Sequence, residues 1–156
     1  MNETIVFGGG CFWCTEAVFG SLKGVVSVMP GYCEGAEVTK VEYDPAIISF
    51  QDLLTVFFYT HDPTTLNRQG ADIGTQYRSA IFYTTEAQKT ESEQFIKELN
   101  ESGPKVVTEV TKFTAFYQAE EEHRQFYLRN QNAGYCQVVI NPKIEKLKKR
   151  FAELLK

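Results

Sequence analysis

A chain of 156 residues that is 43% hydrophobic and 13% aromatic has the size and apolar content of one folded domain, and residues 1–156 read as a single unit. A net charge of −4 and a pI near 5.3 exclude nucleic acid as the main partner, because phosphate binding needs a concentrated positive field. No apolar run approaches the roughly 20 residues that cross a bilayer, and Met1-Asn2-Glu3-Thr4-Ile5 carries no basic export signal, so a cytoplasmic location is expected.

Thr4 to Phe7 reads as a short buried strand, followed by the turn Gly8-Gly9-Gly10 and a helix from Phe12 to about Leu22. Val25 to Met29 predicts a second strand; Val38, Val41 and Tyr43 predict a third that stops at Asp44-Pro45. Ser49 with Asp52 caps a helix whose Phe50, Leu53, Leu54, Phe57 and Phe58 recur at helical spacing, ending near His61-Asp62-Pro63. Thr64 to Gln76 is polar, carries Gly70 and Gly74, and reads as a loop before the strand Ser79 to Tyr83.

Thr85 with Gln88 opens a long polar helix that closes at Ser102-Gly103-Pro104. Val106, Val107 and Val110 predict a further strand, Glu120 to Asn130 a helix, and Asn141-Pro142 an N-cap with proline at the first helical position of the last helix. That helix is amphipathic. Lys143, Lys146, Lys148, Lys149 and Arg150, with Lys156 beyond them, form its solvated side; Ile144, Leu147, Phe151 and Leu154 form the other. The order predicts an α+β fold. We expect a mixed or antiparallel sheet with helices packed on it, a ferredoxin-like two-layer core with a C-terminal helical extension.

The four cysteines, Cys11, Cys14, Cys33 and Cys136, are better candidates for chemistry than for a structural disulfide framework. Cys11 lies between a glycine turn and a helix start, where free N–H groups and the positive helix end are expected to stabilise a thiolate and lower its pKa. Glycine also lets substrate approach the backbone closely. Buried hydrophobic cysteines, half of a zinc site completed by Cys33 and Cys136, and a thioredoxin-like Cys11/Cys14 redox pair are the competing readings.

Gly10-Cys11-Phe12-Trp13 resembles the active-site signature of the A-class peptide methionine sulfoxide reductases. Gly31-Tyr32, Glu42-Tyr43-Asp44-Pro45, His61-Asp62-Pro63, the segment Arg68 to Ser79, Phe116-Tyr117-Gln118-Ala119-Glu120 and Gly134-Tyr135-Cys136 extend the likeness along the chain. The resemblance implies reduction of the S epimer of methionine sulfoxide, free or in proteins, as protein repair under oxidative stress. It assigns Cys11 as nucleophile, Glu37 as acid, Tyr77 as a donor to the sulfoxide oxygen, and Asp72 as a residue holding the site's network. Phe12 and Trp13 become the walls around the S-methyl group. A cysteine sulfenic acid would condense with a second cysteine, and thioredoxin would reduce the disulfide. Cys136 is the expected resolving cysteine because Asn130-Gln131-Asn132-Ala133-Gly134 before it reads as mobile; Cys14 and Cys33 are the alternatives. No metal or organic cofactor is implied.

The chain departs from the family at one place. Most relatives carry an insertion between the Gly-Tyr and Ala-Glu elements, with an Asn-Pro-Thr-Tyr and a Gly-His; here only Cys33-Glu34-Gly35 intervenes. Either Glu37 and Tyr77 suffice, or a residue such as Tyr32 or Tyr135 replaces the missing tyrosine. His61 and His123 have no local partner and read as structural or surface residues. The rivals to the reductase are a general thiol-disulfide oxidoreductase using Cys11 and Cys14, and a non-catalytic zinc-binding interaction module.

Overall fold

The apolar run Ile5-Val6-Phe7 buries side chains on both faces, which makes β1 (Glu3–Gly8) a central strand in the computed structural model, whose description covers residues 1–156. The chain continues through α1 (Phe12–Gly20), β2 (Val25–Cys33), β3 (Ala36–Tyr43) and α2 (Phe50–Thr60). A small hairpin of β4 (Arg68–Gln69) and β5 (Asp72–Ile73) precedes β6 (Ala80–Tyr83), α3 (Glu86–Ser102) and β7 (Glu109–Lys112). The C-terminal extension holds β8 (Tyr117–Gln118), α4 (Phe126–Arg129) and α5 (Asn141–Arg150).

The main sheet has the order β7-β6-β1-β3-β2-β8, with β6 and β7 parallel and every other pair antiparallel. Its centre, β6-β1-β3-β2, is the ferredoxin-like arrangement, and the α+β expectation holds. Alternation along the strands sends Ile5, Phe7, Val41, Tyr43 and Ile81 into a large core with residues of α1, α2 and α5. Phe7 stacks between Phe19 and Phe57 there, with ring centroids 4.9 and 4.5 Å away. The opposite face is thinner. Val6, Cys33, Ala36, Val38, Ala80 and Phe82 are covered by Phe113 and Phe116.

Both capping readings hold: Ser49 accepts from Asp52 N at 3.0 Å, and Thr85 with Gln88 forms a full capping box. The Gln88 amide is buried and also donates to Thr4 O at 2.9 Å and Tyr43 Oη at 3.2 Å, tying α3 to the sheet. β2 and β3 are joined by Glu34 and Gly35, both at positive φ (49° and 79°), the two-residue turn that suits strand twist.

Four expectations are corrected. Residues 120–130 are not one helix: a 3-10 turn at Glu121–His123 is separated from α4 by Gln125 at φ 52°. Asn141 is not an N-cap. The helical run starts near Gly134, passes through a π-turn at Cys136–Ile140 and enters α5 without a break, because Ile140 is itself helical. The predicted strand around Val106 begins only at Glu109. The Thr64–Gln76 segment is ordered by the β4–β5 hairpin and a 3-10 turn at Thr75–Tyr77.

Candidate active site

Gly10 has φ 95°, and a Cβ there would lie 2.7 Å from Gln69 Cγ, so the turn into α1 requires glycine. Gln69 bonds Asp62 at both ends of its amide, 2.7 and 2.9 Å, which anchors the β4–β5 hairpin over this turn. Cys11 is the N-cap residue of α1 without a side-chain capping bond, leaving its thiol free to face the site. Burial pushes that thiol up to about 12; the Trp13 backbone N–H and the Tyr135 hydroxyl pull the other way, while the Cys14 and Glu37 charges add to the rise. The expectation of a lowered pKa is therefore corrected. Desolvation outweighs the helix end and favours the protonated thiol.

Glu37 projects from β3 toward α1. Its Oε1 accepts from Phe12 N at 3.2 Å and its Oε2 from the Gln76 amide at 2.9 Å. Burial raises its pKa against those two hydrogen bonds, favouring a carboxyl that retains a proton. Tyr77, half-buried on the 3-10 turn, is raised by burial and by the charges of Glu37, Asp72 and Cys11, so its hydroxyl stays a donor. Asp72 Oδ2 accepts from the Tyr135 hydroxyl at 2.9 Å, and the same hydroxyl lies 3.7 Å from Cys14 Sγ. Tyr135 itself is raised by burial and by the charges of Cys14 and Cys11.

The apolar side is built from α1 and the extension. Trp13 stacks on Phe126 at 3.7 Å and meets Tyr135 edge-on at 5.4 Å. Phe12 is buried and meets Tyr32 edge-on at 5.4 Å. The structure thus brings Cys11, Phe12, Trp13, Glu37, Asp72 and Tyr77 together. Tyr135, one candidate to replace the missing tyrosine, joins them, and the structure adds Gln76 and His123, and Arg78 from further out. Arg78 donates to Thr75 O at 3.0 Å and Glu34 O at 2.8 Å, fixing the 3-10 turn against the β2–β3 tip. Gln76 and Arg78 lie in the segment that carried the resemblance; His123 had no sequence signal beyond its type.

Cys14 and Cys136 pack together with Ile140, both buried, and Cys14 also senses Cys11. Cys136 was expected on a mobile stretch and instead sits in the π-turn. Cys33 points to the other face of the sheet, away from these three, so the four cysteines do not converge. His61 is structural: its ring nitrogens engage Phe57 O and Ser79 Oγ beneath the glycine turn, and burial lowers its pKa to about 4.

A free thiol at a helix start, a carboxyl whose pKa burial raises and hydroxyl donors beside it, and aromatic walls around them define a thiol-dependent oxidoreductase site on an α+β scaffold. The model of the family Peptide methionine sulfoxide reductase matches residues 3–37 and 34–155, and the chain belongs to that family. The enzyme class is the one its relatives carry, methionine sulfoxide reduction of the MsrA type. The Peptide methionine sulfoxide reductase MsrA of Sulfolobus acidocaldarius is 48% identical over 169 aligned positions, covering 97% of this chain and 96% of that one. Mxr1 from Saccharomyces cerevisiae in reduced form superposes with a TM-score of 0.79 at 33% identity, covering 86% of this chain and 89% of its own. Mxr1 in complex with Trx2 gives 0.62 at 30% identity, covering 80% and 84%. The alignment with the Sulfolobus protein has 169 positions against 156 residues here, so that relative holds residues this chain lacks. The two matched segments of the family model overlap at residues 34–37, across the β2–β3 turn and the start of β3.

Proposed function

We propose that this domain reduces the S epimer of methionine sulfoxide, free or in oxidised proteins, with Cys11 as nucleophile, and that thioredoxin recycles it in the cytoplasm. The observation that carries the reading is Glu37 held beside the Cys11 thiol by Phe12 N and the Gln76 amide, in surroundings whose burial raises its pKa. A sulfoxide sulfur becomes electrophilic when its oxygen takes a proton. Glu37 gives that proton, and Tyr77 donates a hydrogen bond to the same oxygen; Asp72 holds Tyr135 and with it the network beside Cys14. Cys11 sulfur attacks the sulfoxide sulfur, the oxygen passes to Cys11 as a sulfenic acid, and methionine leaves as the thioether. The proton shed by the Cys11 thiol restores the one Glu37 gave. Phe12 and Trp13 pack the S-methyl group.

Cys136 then attacks the sulfenic sulfur, water departs and a disulfide forms. Its place in a π-turn supports this role, since such turns occur frequently at functional sites. Cys14, already beside Cys11, is the alternative. The yeast neighbour solved with Trx2 supports thioredoxin as the reductant. The test is turnover of each epimer of a methionine sulfoxide peptide. Cys11→Ser should abolish reduction with any reductant, and Cys136→Ser should lose turnover with thioredoxin while keeping it with dithiothreitol. Retained activity in Cys11→Ser would sink the mechanism; Cys136→Ser at the parent rate with thioredoxin would move the resolving role to Cys14.

A further inference from the structure

Trp13 is the only tryptophan in the chain, and its Nε1 donates to His123 Nδ1 at 3.1 Å. An indole N–H can only donate, so Nδ1 presents its lone pair and the neutral ring carries its proton on Nε2. That nitrogen faces Glu120 at 3.6 Å, and Glu120 accepts from the Tyr32 hydroxyl at 3.4 Å. Tyr32 meets Phe12 edge-on at 5.4 Å, and Phe12 lies 5.4 Å from the His123 ring. Phe12, Trp13, His123, Glu120 and Tyr32 therefore form a closed chain of contacts beside the start of α1.

We infer that His123 is a positioning residue for the S-methyl pocket, fixing the Trp13 indole through the hydrogen bond it accepts; this rests on the reading of Phe12 and Trp13 as the methyl's walls. Stacking on Phe126 holds the plane of the indole but leaves it free to slide and turn within that plane. The bond to Nδ1 removes that freedom. Losing the bond should weaken substrate binding, and it should do so through KM, since kcat depends on Cys11 and Glu37.

The experiment follows kcat and KM for a methionine-S-sulfoxide peptide with dithiothreitol, together with Trp13 fluorescence, in the parent protein and two variants. His123→Phe raises KM about five- to tenfold, the scale of one lost hydrogen bond, with kcat within about twofold and the Trp13 emission shifted from the parent's. His123→Asn, whose amide oxygen can take the place of Nδ1, restores KM and the parental emission. A Phe variant with parental KM, or an Asn variant no better than Phe, overturns the role of His123. A parent protein that reduces no sulfoxide overturns the reductase reading itself, and fluorescence still reports the Trp13–His123 bond.

Discussion

The sheet-and-helix core through Tyr83 and the segment Phe113–Ile140 line the same site, but they are held in place by different means. The core side is fixed by ladders and buried apolar side chains: Glu37 stands on β3, paired on both edges, and α1 is buried along most of its length. The extension is fixed by side chains bonding distant backbone. Glu16 of α1 accepts from Gln125 N at 2.9 Å, Arg124 reaches Ala119 O at 3.3 Å, and Arg129 reaches Arg124 O and Glu121 O at 2.9 and 2.8 Å. The proposed nucleophile and acid thus belong to the body held by ladders and core packing, whereas Phe126, against which Trp13 stacks, and the proposed resolving thiol belong to the part held by side-chain bonds. A reaction that needs a fixed first step and a movable second one is served by that division.

Damage to the core should therefore unfold the protein, and damage to the extension should change catalysis with little loss of stability. Phe57→Ala removes a fully buried ring from beneath Phe7 and His61 and should cost about 3–5 kcal/mol in chemical denaturation. Glu37→Gln should lower kcat about 10²-fold or more by removing the proton, and leave the fold intact. The same variant tests the charge. The folded-state pKa of Glu37 is raised above 4.5, so its favourable contribution is complete below that value and is lost as pH rises through the folded pKa. Parent stability relative to Glu37→Gln should fall with rising pH; a difference that grew with pH would refute the buried, proton-retaining carboxyl.

Phe126→Ala should raise KM several-fold, on the order of the 0.5–1.5 kcal/mol of one aromatic pair, with an unfolding midpoint close to the parent's. An equal loss of stability here and at Phe57 would erase the distinction between the two regions. Thr85→Ala, which removes half of a capping box far from the site, should cost about 1 kcal/mol in thermal unfolding and leave kcat and KM unchanged.

The same division decides what was legible in the sequence. The apolar run in Thr4–Phe7, the pattern of Val38–Tyr43, the helical spacing of Phe50 to Phe58, and the caps at Ser49 and Thr85 are local signals, and each element forms where it reads. The Cys11 junction was visible for the same reason. Residues 120–130 looked helical by composition, but Gln125 takes a left-handed conformation because Glu16, over a hundred positions away, captures its N–H. The raised pKa of Cys11 was equally hidden, since the helix start is local while burial comes from the folded whole. Cys136 looked mobile from its polar neighbours; its packing on Cys14 and Ile140 is a tertiary fact.

The tight turn at Glu34–Gly35 also bears on the order in which the site assembles. Strands β2 and β3 meet across two residues, so closing that loop costs little entropy, and hairpins of this kind form in about 1–10 μs. Glu37 is the second residue of β3, opposite Tyr32, and is placed by this local pairing. Cys11 reaches it only when β1 closes on β3, with Phe7 opposite Thr39 across more than thirty residues of chain. Pulse-labelled hydrogen exchange should find the β2–β3 amides protected before those of β1, so that the acid is seated first and the thiol arrives at a socket already made.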